Sequence, residues 1–218
     1  EVGGAINWKI RQKMMVIGNN YIAKGQSLWP TIYFRFEKGI AGPFETNLEY
    51  TRVYSEVTQS FKVRGLGILA NSLVGGNVVG DVPTTLSHRP SNSILNGKWY
   101  QLDVPNTFQT MPTNGYFLKE YAALFTRFTS NEIKRFSKTW RPIVGLHHAI
   151  GYGVGLDQNN HSGGPDIVDF QEGYFEGGVF LNQLLDNLGF GVFYRYGPGS
   201  SSNARENLVF KFSIKQTF

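Results

Sequence analysis

The segment 206–218 alternates between apolar and polar side chains, as a β-strand with two different faces does. One side is polar or basic, and the other side carries Leu208, Phe210, Phe212, Ile214 and Phe218. An outer-membrane barrel places such an apolar side against lipid and the polar side toward a wet interior. Because the apolar side is almost entirely Leu, Phe and Ile, the pattern favours a transmembrane β-barrel over a soluble all-β protein.

The composition argues against a helical membrane protein and permits a barrel. Of the 218 residues, 41% are hydrophobic, and no stretch approaches the roughly 20 apolar residues that a spanning helix needs. Aromatic residues make up 15% of the chain and suit interfacial girdles, and 26 glycines suit turns and tight packing. Cysteine is absent, so we expect neither a disulfide framework nor a thiolate metal site.

The formal net charge of +5 raises the question of a nucleic-acid partner. The basic residues alternate with apolar residues along the strands and form no compact patch. We therefore expect contact with a lumen or with lipid headgroups, and no nucleic acid. The chain begins at Glu1, with neither an initiator Met nor a signal peptide, and we expect it to be a processed or trimmed product.

Nine strands are predicted from the alternation. They are 6–16, 29–37, 50–63, 66–79, 116–128, 140–152, 175–181, 188–196 and 206–218. The phase is less clean in 50–63, and we expect a bulge there. A closed bacterial barrel has an even number of strands, and open sheet edges cannot lie in lipid. We therefore expect an antiparallel transmembrane β-barrel of which residues 1–218 form the C-terminal portion, with further strands upstream.

The region 80–115 has no periodicity and contains four prolines. A loop of this length is usually functional or disordered. If the last strand runs toward the periplasm, this loop lies on the outer side, together with the loops at 154–172 and 197–205. The turns at 64–65, 130–139 and 184–187 then lie on the periplasmic side.

Charged residues on the predicted inner faces are candidates for the lining of a lumen. They are Arg11, Arg35, Glu37, Glu120, Arg127, Arg141, Glu176 and Arg195. Paired charges that stiffen the barrel are one interpretation, and a lining that selects solutes is the other. In the strand 116–128 the alternation predicts that Phe117, Tyr121, Ala123 and Phe125 point outward, and that Glu120 and Thr126 point inward.

No residue pattern predicts catalysis, a cofactor or a metal site. His147 and His148 are neighbours on a strand, so their side chains point to opposite sides and cannot bind one ion together. Oxygen ligands for Ca²⁺ occur at Asp157, Asn159, Asn160, Asp166 and Asp169, but without EF-hand spacing, which favours a solvated loop. Ser162 follows His161 without a triad, and phosphate-loop, zinc and dinucleotide motifs are absent.

Three further motifs carry a resemblance to a known family. They are SLWPT at 27–31, GGNVVGDVP at 75–83 and KTWRPIVG at 138–145. With the Phe-terminated strand, they resemble the C-terminal barrel of Bacteroidota outer-membrane proteins of unknown function that carry an N-terminal carboxypeptidase-regulatory-like domain. That family is distantly similar to the sixteen-stranded BamA/TamA-like assembly barrels. The resemblance spans about residues 25–218.

The resemblance implies roles for two segments. Assembly barrels carry a loop that folds into the lumen at the position of 80–115, and its tip here would lie near His88 and Arg89. That tip departs from the Arg-Gly motif of assembly barrels. Phe210, Phe212, Ile214 and Phe218 resemble the C-terminal signal strand that the assembly machinery of bacterial outer membranes recognises.

These observations lead to one expected function and two alternatives. We expect a protein of the bacterial outer membrane with a role in outer-membrane protein assembly or envelope biogenesis. Its partners would be outer-membrane lipids and proteins of a membrane complex. A pore or transporter for small solutes is the first alternative, and a small closed barrel that serves as a structural anchor is the second.

Overall fold

The computed structural model describes the fold as an all-β protein. It covers residues 1–23, 28–40, 42, 49–80, 82, 84–94, 102–112, 116–133, 141–156, 168–185 and 188–214. The strands are β1 (Val2–Lys9), β2 (Met14–Ile17), β3 (Asn20–Ala23), β4 (Thr31–Gly39), β5 (Tyr50–Val63), β6 (Gly67–Gly80), β7 (Asn92–Ile94), β8 (Phe108–Pro112), β9 (Leu118–Ser130), β10 (Ile143–Gly155), β11 (Phe170–Leu185), β12 (Leu188–Tyr196) and β13 (Leu208–Ile214). Within these ranges the only helix is a 3₁₀ turn at Thr84–Leu86. No helix in the described ranges is long and apolar enough to cross a bilayer.

Nine of the strands form one antiparallel sheet in the order β1-β4-β5-β6-β9-β10-β11-β12-β13. The predicted number of sheet strands is therefore confirmed, and the bounds of β5 and β12 are those predicted. The connection from β1 to β4 contains the hairpin β2–β3, and the connection from β6 to β9 contains the parallel pair β7–β8. In the described part of the chain β1 and β13 do not pair, so the sheet is open there.

The first strand is shorter than predicted. The strand predicted at 6–16 ends at Lys9, and Met14–Ile17 pairs with Asn20–Ala23 instead. Arg11 has a φ of 49°, a left-handed conformation that interrupts an extended chain. The apolar residues on the two sides of this turn therefore belong to different sheets.

The sheet has two chemically different faces. In β10 the buried residues Ile143, His147 and Ala149 alternate with the exposed residues Leu146 and Ile150. We call the side with the buried residues the covered face, because β8 packs against it, and the opposite side the exposed face. The alternation follows from the pleat, which sends successive side chains to opposite sides.

The exposed face is apolar over all nine strands. Its exposed large side chains include Ile6, Trp8, Phe34, Phe36, Val57, Phe61, Leu73, Leu124, Leu146, Ile150, Tyr152, Val179, Leu181, Leu188, Tyr194, Tyr196, Leu208, Phe210 and Phe212. An apolar surface that extends across a whole sheet marks a surface that contacts lipid or protein.

The prediction for the faces of β9 was wrong. Tyr121, Ala123 and Phe125 are buried on the covered face, whereas Glu120 and Thr126 lie on the side of the exposed Leu124. Apolar residues occupy both sides of this strand, so the alternation does not show which side is buried. The register with β10 decides it, because Phe125 lies opposite Ala149 and Ala123 opposite Gly151, and these small residues leave room on the covered face.

The predicted bulge in β5 was also wrong. This strand pairs with β4 and with β6 in continuous register from end to end. Register shifts occur instead in β10, after Gly151 and after Val154, and between Leu181 and Leu185 of β11. Tyr50 and Tyr54 share the covered face with Arg52, so the mixed phase of β5 reflects polar residues on both sides of the strand.

Glycines on the covered face make room for aromatic rings of neighbouring strands. A Cβ built on Gly145 would overlap the ring of Phe180, which is opposite it on β11. We expect Gly145→Ala to lower the free energy of unfolding by about 1–3 kcal/mol, because a packed core resists added volume. Gly177→Ala is the matched control, since a Cβ at Gly177 meets its nearest atom at 3.8 Å. Urea unfolding of the two variants measures both, and equal stability of the two variants would contradict the prediction.

Candidate functional site

The connection between β6 and β9 packs on the covered face, and its centre is Phe108. This ring is fully buried, with its centroid 4.9 Å from that of Phe125 and 5.1 Å from that of Tyr174. A Cβ on Gly151 would lie 2.5 Å from Phe108, so the glycine leaves the space that the ring fills. The described parts of the connection, 84–94 and 102–112, therefore form part of the core. We call them the packed loop.

Glu176 of β11 fixes the packed loop through its carboxylate. It is fully buried and accepts hydrogen bonds from the backbone N–H groups of Gln109 (2.6 Å) and Thr110 (2.8 Å). The hydroxyl of Thr110 donates a further bond at 2.7 Å. Buried carboxylates are stable only where such donors replace water, so this geometry requires the loop to be in place.

His147 completes the shell around Glu176. Its Nε2 lies 2.9 Å from Glu176 Oε1, and both side chains are buried. The hydroxyl of Thr110 bonds to the carboxylate and to the Tyr174 hydroxyl, and no bond joins it to the imidazole among the described residues. This arrangement lacks the direct nucleophile–base contact that covalent catalysis needs, and it is suited to holding the loop.

A second anchor joins Asp103 of the packed loop to Arg127 of β9. The guanidinium forms two hydrogen bonds with the carboxylate, at 2.8 and 2.5 Å. Its Cζ lies 3.8 Å from the centroid of the Phe180 ring. Because the salt bridge is bidentate, it fixes the relative orientation of the two side chains. It therefore orients the loop on the sheet as well as holding it there.

The loop also reaches the last strand. Lys211 of β13 is fully buried, and its Nζ donates to Ser93 Oγ at 2.6 Å. The backbone N–H of Asp103 donates to the carbonyl of Phe212 at 2.8 Å, beside a parallel bridge between Leu102 and Phe212. The packed loop therefore occupies part of the free edge of β13.

His88 anchors the start of the packed loop. It exchanges two backbone hydrogen bonds with Leu118, each 2.9 Å long, and its imidazole lies over Gly76, where a Cβ would overlap it. Burial lowers the pKa of His88 below its ordinary value, and the nearby Arg52 charge acts in the same direction, opposed in part by a backbone hydrogen bond with Asn77. A neutral imidazole is therefore favoured at neutral pH.

An open cavity lies where β11 begins and β12 ends. Its volume is about 500 Å³, and it is lined in part by Tyr116, Asp169, Tyr174 and Arg195. Within the described ranges no group of three or more His, Cys, Asp or Glu side chains could hold a metal ion. Of the calcium candidates, Asp169 accepts a hydrogen bond from Gln171, and residues 157, 159, 160 and 166 lie outside the described residues, as do His161 and Ser162.

Comparison with known protein families adds one match. Residues 1–147 match the family described as "Family of unknown function (DUF5686) C-terminal domain". The chain belongs to this family. No curated protein and no solved structure matches the chain significantly. In this DUF5686 domain the match covers β1 to β9, the packed loop and the start of β10.

Five of the candidate lumen charges lie on the covered face of the DUF5686 domain. Glu37 forms ion pairs with Arg35 and with Arg52, the second at 3.2 Å. The others are Arg127, Glu176 and Arg195, of which the first two are described above. Arg195 lies opposite Glu176 in the strand register, and its side chain donates a hydrogen bond to Asn207 Oδ1 at 3.2 Å.

Three candidates lie elsewhere, which corrects their prediction. Glu120 is on the side of the exposed face, because β9 has the opposite orientation to the one predicted. Arg11 lies in the turn after β1, with its guanidinium 4.3 Å from the Trp29 ring. Arg141 precedes β10 and pairs with Glu132 at 3.5 Å, with both side chains exposed.

The predicted loop tip is a second correction. His88 is buried beside β9, and the exposed Arg89 lies over the Phe117 ring at 4.9 Å. The deepest part of the packed loop is Phe108–Met111 instead. The Phe108 ring fills space on the covered face, and the backbone N–H of Thr110 donates to the buried carboxylate of Glu176.

The residues of the predicted signal strand are placed only in part. Phe210 and Phe212 are on the exposed face, and both are exposed. Ile214 is the last residue of β13. Phe218 lies outside the described residues.

Sequence reasoning missed the partners that the loop supplies. Asp103, Gln109 and Thr110 carry no periodic signal, and Gln109 lies 67 positions from Glu176. Lys211 belongs to the polar or basic side of the predicted strand 206–218, and the alternation did not indicate that it is buried. Its position between Phe210 and Phe212 was the available signal, since a lysine on the inner side of a terminal strand needs a partner.

Removal of the Glu176 charge should release the loop. We expect Glu176→Gln to lower the free energy of unfolding by about 3 kcal/mol, because an amide cannot accept every bond that the buried carboxylate accepts. The packed loop should also become sensitive to protease. Glu172→Gln is the control on the same strand, since Glu172 is exposed. Limited proteolysis and urea unfolding measure the effect, and a loop as resistant as in the control would contradict it.

Proposed function

We propose that this DUF5686 domain forms the C-terminal wall of an outer-membrane β-barrel with a role in outer-membrane protein assembly or envelope biogenesis. The observation that carries the proposal is the opposition of the two faces. Apolar side chains cover the exposed face on all nine strands, and ion pairs and hydrogen-bonded charges occupy the other. Lipid outside and polar groups inside are the arrangement of a membrane barrel.

Strand length supports the membrane location. β5 and β6 have 14 residues each, and β9 and β10 have 13 each. A tilted strand needs about 9–11 residues to cross the hydrocarbon core. The open edges of β1 and β13 would then need further strands, since unpaired backbone groups cannot lie in lipid. The other strands of the barrel would come from upstream in the full-length protein.

The packed loop favours an assembly role over a solute pore. A pore needs a wet and open path, whereas Phe108, Met111 and Lys211 are fully buried between the loop and the sheet. An exposed strand edge is a template for pairing with another chain, and the packed loop already forms a backbone hydrogen bond with Phe212 at the edge of β13. Both features suit a protein that handles other membrane strands.

Spin labels test the location. The 218 residues contain no cysteine, so with any upstream cysteines replaced single labels can be placed at Val179 and Phe210 of the exposed face and at Ser202 in the β12–β13 connection. In membranes that contain the full-length protein, we expect the two face positions to collide often with O₂ and rarely with a water-soluble nickel chelate, because lipid concentrates O₂. Ser202 should show the reverse. Low collision rates with both reagents at Val179 and Phe210 would indicate a second sheet over the face and would exclude the membrane location.

Depletion tests the role. We expect loss of the full-length protein to lower the amounts of other barrel proteins in the outer membrane, while periplasmic proteins keep their levels. Quantitative proteomics of membrane fractions measures this. Complementation with the Glu176→Gln and Glu172→Gln variants separates loss of the packed loop from loss of the protein. Unchanged barrel levels together with lost solute uptake would favour the pore instead.

A further inference from the structure

The apolar exposed face is crossed by a row of polar side chains. Gln59, Asn71, Thr126 and His148 are direct neighbours in register on β5, β6, β9 and β10. All four are partly exposed. With strands about 4.8 Å apart, the row is about 14 Å wide. We call these four residues the polar row.

The polar row lies between two apolar rows. Toward the β5–β6 turn it is followed by Phe61, Leu69, Phe128 and Leu146, which are neighbours in register. On the other side it is followed by Val57, Leu73, Leu124 and Ile150. Because both flanking rows are apolar on every strand, the polar row is not the border between an apolar band and an aqueous end of the sheet.

The polar row keeps hydrogen-bonding capacity that the sheet does not use. Asn71 accepts a bond from Thr126 at 3.0 Å through its Oδ1, and the His148 Nε2 bonds to the Tyr196 hydroxyl at 2.5 Å. Among the described residues, the Asn71 amide nitrogen, the second His148 nitrogen and the whole Gln59 amide have no partner. Acyl chains offer no donors or acceptors, so lipid is an unfavourable neighbour for these groups.

We propose that the polar row is the centre of an interface with a second copy of this protein. The row carries amides, a hydroxyl and an imidazole, and no carboxylate, Lys or Arg, so it is not suited to an oppositely charged partner. Each amide both donates and accepts. A two-fold axis at the middle of the row brings Asn71 of one copy to Thr126 of the other and Gln59 to His148, and each pairing matches a donor with an acceptor.

The flanking residues fit the same arrangement. Leu73 and Leu124 lie beside the middle of the polar row and would pack against their copies across the axis. Interfaces between proteins in lipid rely on such packing together with hydrogen bonds between polar side chains. The inference rests on the proposed membrane location, because in water the polar row would be satisfied by solvent.

Cross-linking of single cysteines tests the proposal in membranes that contain the full-length protein, with any upstream cysteines replaced. Leu73 and Val179 are equally exposed, at 54% and 53%, but only Leu73 adjoins the polar row. We expect Leu73→Cys to form a covalent dimer with a short bis-maleimide and Val179→Cys to remain monomeric. Adding Gln59→Leu and Asn71→Leu to Leu73→Cys should lower the dimer yield about fivefold or more, because the bonds across the interface are lost.

Three outcomes would overturn the proposal. They are equal cross-linking at Leu73 and Val179, a yield that the two leucine substitutions leave unchanged, and a Leu73 adduct that contains a different protein. Migration of the unheated variants on gels establishes that each one folds. Spin labels at Val179 and Phe210, which do not adjoin the polar row, report the membrane location separately, so failure of the dimer is distinguishable from failure of the proposed function.

Discussion

The buried carboxylate of Glu176 is the interaction on which the covered face depends. It is surrounded by two backbone N–H groups, a hydroxyl and an imidazole, and three of these four donors belong to the packed loop. Without the loop, a charge would lie on the sheet with only His147 to replace water. The backbone N–H groups of Gln109 and Thr110 in turn bond to this carboxylate and not to the backbone of a neighbouring strand. Each side therefore needs the other, and this mutual dependence explains how a proline-rich connection becomes part of the core.

The Arg127–Asp103 and Lys211–Ser93 contacts follow the same principle at two positions near the middle of the connection. Each strand charge meets a hydrogen-bonding group of the loop, and the Phe180 ring lies over the Arg127 guanidinium. Asp103 compensates the Arg127 charge, and Lys211 is fully buried, so neither charge is available to attract solutes. Of the two interpretations of the inward charges, stiffening of the fold is therefore favoured on the β9–β13 side, whereas Arg35 remains half-exposed beside Glu37.

The sequence determined the sheet better than it determined the site. β5 and β12 were predicted to the residue. In β12 every residue on one side is apolar or aromatic, from Leu188 to Tyr196, and the other side carries Gly189 and Gly191, which makes the alternation clear. β9 was assigned to the wrong faces because apolar residues occupy both of its sides, and only pairing with the small residues of β10 resolves them. The partners of Glu176 lie 66 and 67 positions away in a segment without periodicity. No local pattern encodes such a contact.

The two faces of the sheet require different side chains from the same strands, and β10 shows how one strand supplies both. His147 binds Glu176 on the covered face, and the next residue, His148, lies in the polar row of the exposed face. A shift of one residue in pairing would exchange them and would bury one imidazole in the wrong surroundings. Glycines prevent this shift. Phe180 packs over Gly145 and Phe108 over Gly151. A shift of one residue would place Val144 or Leu146 opposite Phe180 instead of Gly145, and a side chain at that place would overlap the ring. The pattern of glycine and aromatic residues thus fixes the register, and the register assigns each histidine to its surface.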